Sequence, residues 1–205
     1  MELLFLSEQS PQSTATLMRS IEQQVWSRAN RGPAPVEKWE PDFCGDIDMR
    51  IGRDGVWHYM GSPVGRIGMV RMFASVLRRD ADGKYYLVTP VEKVGIKVDD
   101  APFVAVEMQV EGRGIAQILS FRTSVDDWTT AGPAHPIRVT LAPETLQPSP
   151  YVLVRGRLEA LINRAVFYDL VELCVDAPVD GRNMFGVWSG GVFFPFMASS
   201  QLGRT

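Results

Sequence analysis

Residues 68–90, GMVRMFASVLRRDADGKYYLVTP, read as an amphipathic helix, a tight turn and a strand, and residues 163–191, NRAVFYDLVELCVDAPVDGRNMFGVWSGG, read the same way. Working outward, HYMGSPVGRIGMVRMFASVL and YVLVRGRLEALINRAVFYDLVEL both present strand, glycine and helix, at an offset of roughly 95 residues that exceeds the short periods of solenoids. Aspartate-glycine turns follow at Asp82-Gly83 and Asp180-Gly181, then the aromatic runs Tyr85-Tyr86 and Phe185 to Trp188. The order of elements predicts a duplicated α+β unit, each copy a helix with an antiparallel sheet.

The rest of the chain fits around that repeat. STATLMRSIEQQVWSR (13–28) carries Leu17, Ile21 and Val25 at helical spacing, and the proline-rich ANRGPAPVEKWEP reads as an extended connector. Ile47, Met49 and Ile51 alternate with Asp46, Asp48 and Arg50, and GRDG turns the chain back into a hairpin. Ser62-Pro63 reads as a helix start, and Ile67, Val70, Phe73 and Leu77 recur on one face of a helix of roughly four turns. Strand patterns KYYLVTPVEKVGIKV, FVAVEMQV and IAQILSFRT then predict an antiparallel meander. A second helix is expected from about Arg157 to Leu173, with NMFGVWSGGVFFPF a closing hairpin. The expected division is 1–40 for the N-terminal helix and connector, 41–130 for the first module and 131–205 for the second.

Composition narrows the function. With 45% hydrophobic and 22% charged residues the chain is ordinary for a globular protein. A net charge of −3 supplies no global basic field for nucleic acid. MELLFLSEQ lacks a basic flank and a cleavage site, and no run reaches the roughly 20 apolar residues a membrane span needs, so a cytoplasmic protein is expected. Cys44 and Cys174 have no metal-ligand or redox spacing. Of the 21 basic residues 17 are Arg and 4 are Lys, a bias that suits bidentate anion contacts but that a GC-rich genome also produces.

Catalytic and metal motifs fail one by one. His58 falls in a strand and His135 precedes Pro136, and both read as structural. Ser189 in GVWSGG has Val187 where a nucleophile elbow needs glycine. An EF-hand begun at Asp46 would need Gly at Ile51 and Glu at Trp57, so no metal site is expected. No phosphate-binding glycine loop of either familiar pattern is present, and no cofactor is expected. What remains are arginines near the predicted helix starts, where unpaired N–H groups and guanidinium donors accept a phosphate or carboxylate. On this reading Arg66, Arg155, Arg157 and Arg164 take an anionic group. Asp46, Asp48, Arg50 and Asn163 fix polar orientation, and Trp57 or Trp188 stacks a ring, with Tyr59 and Tyr168 as further aromatic candidates.

The run PDFCGDIDMRIGRDGVWHYMGSPVGRIGMVRMFASVLRRDADGKYYLVTPVEKVGIKVDDAPF, with HPIRV and YVLVRGRLEALINRAVFYDLVE, resembles an uncharacterised bacterial family, domain of unknown function 1285. The resemblance spans nearly the whole chain after about residue 35. It implies a domain duplication, a C-terminal module loosely like a pleckstrin-homology fold, and a site at the domain interface for a nucleotide-like ligand. A signalling role, connected with oxidative stress, is also implied; no catalytic residues are. The expected function is therefore non-enzymatic binding of a nucleotide-like or phosphorylated ligand, with a possible protein partner in signalling. The alternatives are a protein-interaction module, or a hydrolase working through Asp46, Asp48 and His58.

Overall fold

The computed structural model describes residues 34–144 and 147–202, so the helix expected over 13–28 lies outside the described residues. The chain divides into two compact units, one ending at Val98 and the other running from Asp99, with the short turn Gly52–Gly55 grouped with the second.

In the N-terminal unit, β1 (Phe43–Ile51), β2 (Trp57–Tyr59) and β3 (Ser62–Pro63) form an antiparallel meander, as do β4 (Leu77–Arg79), β5 (Tyr85–Val88) and β6 (Lys93–Val98). The two meanders join through β1 and β6, which run parallel, in the order β3-β2-β1-β6-β5-β4. The predicted hairpin at GRDG is there, and its alternation puts Met49 and Ile51 in the core. Trp57 is 2% exposed and stacks on Phe73 with ring centroids 6.1 Å apart.

The first helix is shorter than its pattern predicts. α1 spans Ile67–Ser75, nine residues, with Arg66 at its N-cap, while Ser62 and Pro63 pair with Tyr59 and His58 as an edge strand. Proline is harmless on an edge, where its missing N–H would face solvent, and Gly65 and Gly68 weaken any earlier helical turn. Val70 and Phe73 are buried as expected, whereas Ile67 is 50% exposed. Arg78, within the span read as helix, is a buried residue of β4. Its Nη1 donates to the carbonyls of Val36 and Trp39 at 2.8 and 2.7 Å, and its Nε donates to Asp80. That guanidinium holds the connector against the sheet.

The C-terminal unit repeats the same plan. β7 (Phe103–Glu111), β8 (Ile118–Thr123) and β9 (Trp128–Thr130) form one meander, and β10 (Ile137–Leu141), β11 (Pro148–Arg155) and β12 (Leu158–Ile162) form another. β7 and β12 run parallel, giving the order β10-β11-β12-β7-β8-β9. Counted from its own first strand, each six-stranded sheet therefore has the order 3-2-1-6-5-4. After α2 (Arg164–Glu172), a separate three-stranded sheet is made by β13 (Val175–Val179), β14 (Arg182–Ser189) and β15 (Val192–Ala198).

Three expectations change here. The duplication is real, but it equates Phe43 with Phe103 as strand starts, about 60 residues apart, and not the two helices: α1 lies between the third and fourth strands of its sheet, α2 after the sixth. Among the described residues the modules are mixed, sheet-rich units with one short α-helix each, not a helix with an antiparallel sheet. The division falls at Val98/Asp99, not at 130/131, because FVAVEMQV and ILSFRT open the second sheet instead of extending the first.

Residues 158–162 are likewise strand, not helix, and Arg157 lies in the turn before them. Leu158, Ala160 and Ile162 are buried in strict alternation, and Ala160 pairs with both Val152 and Phe103. The three-stranded sheet is latched to the larger one by Ser189, whose buried hydroxyl accepts from Leu119 N–H at 2.9 Å and donates to the Ala131 carbonyl at 2.7 Å. Gln117 Nε2 donates to the Trp188 carbonyl at 2.9 Å beside it. Ser189 is thus a structural hydroxyl next to a glycine turn.

Candidate functional site

Where β12 gives way to α2, the chain opens a cleft of about 450 Å³. Asn163 caps the helix, its Oδ1 accepting from Val166 N–H at 2.9 Å, and its own N–H donates to the Ala105 carbonyl of the neighbouring strand. Arg164 follows, exposed, with Nε donating to the Tyr168 hydroxyl at 2.8 Å and the guanidinium 5.5 Å from that ring's centroid. A second guanidinium comes from the turn residue Arg53, whose Nη2 donates to Ser149 Oγ at 2.9 Å and whose Nε lies 3.1 Å from Asp100 Oδ2.

The remaining wall is apolar or aromatic, with Pro148, Pro150, Leu161 and Phe167. Among the described residues no carboxylate lines the cleft, and its formal charge comes from Arg53 and Arg164. Asp100, just behind Arg53, also accepts from the Tyr151 hydroxyl at 2.8 Å. Burial, and then that bond, push the Tyr151 phenol up from its ordinary value, so it stays a neutral donor. The Arg138 guanidinium lies 4.1 Å from the Tyr151 ring and is held bidentate by Glu159 at 2.6 Å, which fixes the ring from outside. An anion carrying a flat or apolar body matches this set of donors and walls.

Two family models match the chain in tandem. One, described as the N-terminal domain of DUF1285, a domain of unknown function, covers residues 34–101; the other, the C-terminal domain of the same family, covers residues 102–196. The chain belongs to the DUF1285 family. A crystal structure of a DUF1285 family protein from Silicibacter pomeroyi DSS-3 is 54% identical, with 85% of this chain and 93% of that one covered and a TM-score of 0.79. Another, from Shewanella baltica OS155, is 28% identical over 60% of this chain and 90% of that one, with a TM-score of 0.47. Comparison with curated proteins finds no match.

In this DUF1285 chain the residues expected to share a site are dispersed. Asn163 and Arg164 line the cleft, with Tyr168 from the aromatic candidates. Arg155 and Arg157 sit at the other end of β12, a five-residue strand and so roughly 16 Å away. Arg155 pairs with Asp127 and lies over the Phe103 ring at 5.0 Å, and Arg157 follows the turn glycine Gly156 in a hairpin, not at a helix start. Trp188 packs against Phe193 at 5.3 Å, and Trp57 is core; neither presents a free face to the cleft. Asp46, Asp48, Arg50 and Arg66 belong to the N-terminal unit. Arg53, Ser149 and Phe167 were not singled out from sequence; Arg53 and Ser149 are 96 residues apart, and nothing local marks them as neighbours.

The catalytic candidates separate as well. His58 lies opposite Arg50 in the β1–β2 pair, not opposite Asp46 or Asp48. His135 Nδ1 is 3.1 Å from the Leu153 carbonyl, a structural bond. Burial pushes the Cys174 thiol up to about 12, which keeps it protonated and a poor nucleophile at neutral pH. Among the described residues no group of His, Cys, Asp and Glu is placed to hold a metal ion, and no helix is long and apolar enough to cross a membrane.

Proposed function

We propose that this DUF1285 protein binds a nucleotide-like or otherwise phosphorylated small molecule in the cleft beside α2, without turning it over, as the sensing step of a cytoplasmic signalling role. The observation that carries the reading is the pair of guanidiniums, Arg53 and Arg164, on a cleft with aromatic walls and, among the described residues, no carboxylate. A phosphate takes the guanidinium donors; a base or other ring lies against Phe167 and Tyr168. A loose likeness of the C-terminal module to pleckstrin-homology folds belongs to the same reading, supported by its antiparallel meanders followed by a helix. A signalling partner would recognise the ligand-bound form.

The test is a thermal-shift screen of the full chain against nucleotides, cyclic nucleotides and small anions. A ligand at about 100 times its dissociation constant stabilises the fold by roughly 2.7 kcal/mol, a rise of several degrees. The rise should be confined to nucleotide-like or phosphorylated compounds and, for compounds with a single phosphate, should vanish in Arg164→Ala, whose unliganded melting stays near wild type because the side chain is exposed. No rise from any compound into the millimolar range removes the proposal.

A further inference from the structure

The solvent face of the N-terminal sheet carries a row of basic residues that its strand register lines up. Arg50 of β1 is paired with Lys97 of β6 on one side and with His58 of β2 on the other. Tyr85 pairs with Ile96, so the next step of the same register sets Lys84 against Lys97. Lys97, Arg50 and His58 thus stand abreast on three adjacent strands, with Lys84 in the turn just before β5 at the end of the row; Lys84, Lys97 and Arg50 are exposed, and His58 is half-buried with an Nδ1 that finds no partner. The chain has four lysines in all, and two of them meet here, with a third, Lys93, on the same strand.

Like charges directly opposite one another weaken a sheet, and neighbouring strands are only about 4.8 Å apart. Asp82 attracts Lys84 through space, but the nearby acids form their close contacts elsewhere. Asp80 is engaged by Arg78 and Lys93, and Asp82 accepts from the Tyr86 hydroxyl at 2.6 Å and the Lys84 backbone N–H at 2.9 Å. The Asp46 carboxylate lies over Gly95, in the space a Cβ would fill, one step along the face. Asp48 is two residues before Arg50 on β1. Among the described residues no carboxylate forms an ion pair with the Lys84 or Lys97 ammonium. Beside the row a cleft of about 410 Å³ opens over Gly95, walled by Tyr86, Asp46, Lys84 and Lys97.

We propose that this row binds a small anion with adjoining phosphoryl groups, which lie across Lys84, Lys97 and Arg50 while the remainder of the molecule enters the cleft over Gly95. Three heads spread over two strand spacings, about 10 Å, suit linked phosphoryl groups better than one phosphate. The site is independent of the cleft beside α2.

The experiment is calorimetric titration of the full chain at low salt with inorganic pyrophosphate, with orthophosphate and phosphatidylserine vesicles as comparisons. Pyrophosphate should bind more tightly than orthophosphate. The double variant Lys84→Gln/Lys97→Gln should weaken it by about tenfold or more while raising the melting temperature of the unliganded protein, since repulsion is removed. The pyrophosphate binding that the double variant weakens should persist in Arg164→Ala. Silence with pyrophosphate into the millimolar range overturns the site, as does binding that survives the double variant or is lost only in Arg164→Ala. Binding to vesicles without binding to pyrophosphate overturns it too.

Discussion

Gly95 and Gly186 are both strand glycines with ordinary backbone angles, yet they differ in what surrounds them. A Cβ on Gly186 would lie 2.2 Å from the Phe194 carbonyl oxygen and 2.9 Å from Pro195 Cα, both main-chain atoms of the paired strand. A Cβ on Gly95 would meet Asp46 Oδ1 at 1.9 Å, the far end of a side chain that can swing away. Gly186→Ala should therefore cost about 2 kcal/mol or more through overpacking, and Gly95→Ala should change stability by less than about 1 kcal/mol. Urea midpoints of the two variants check this; equal losses would show that backbone crowding is not what separates them. Neither environment is written in the local sequence, since MFGVW and KVGIK look alike as strand patterns. Asn163 is the opposite case. A helix-capping residue type directly before an apolar helical run is a local signal, and its side chain does accept the Val166 N–H.

Elements were legible where their signal is local. The hairpins at GRDG and SGG follow from alternation and turn residues, and both form. β12 was misread because Leu161, Ile162, Ala165, Val166 and Leu170 make a broad helical stripe that runs across the junction of a strand and a helix, so the boundary at Asn163 is invisible to periodicity. The parallel pairs β1–β6 and β7–β12 leave no local trace at all, since each joins strands separated by most of a module. The hairpin β14–β15 depends on one such distant tie, the Ser189 hydroxyl. Ser189→Ala leaves the buried Leu119 N–H and Ala131 carbonyl short of a partner, at a cost of about 1–3 kcal/mol. Hydrogen exchange should show faster loss of protection at Leu119 and along β14–β15; unaltered exchange there would mean the latch is redundant.

For the whole molecule, the family boundary at 101/102 and the compact units do not parse the chain identically, because Gly52–Gly55 groups with the C-terminal unit. A Cβ on Gly55 would meet Val104 Cγ2 at 2.9 Å, and Arg53 reaches Asp100 and Ser149. The cleft beside α2 thus depends on a residue that precedes its own domain in sequence, which is why half of its charge could not be read from the second module. Arg53→Ala in the full chain should weaken ligand binding about tenfold and barely move the melting temperature, because its ion pair is 62% exposed on the arginine side and worth under about 1 kcal/mol. Titration and melting of the same variant separate the two effects, and a large drop in melting temperature would make Arg53 a structural residue. The plan of the N-terminal sheet has one more consequence. It ends in β3, of two residues, on one side and β4, of three, on the other. A foreign strand gains almost no main-chain bonds on so short a rim, so this sheet offers little purchase for edge-to-edge aggregation at high concentration.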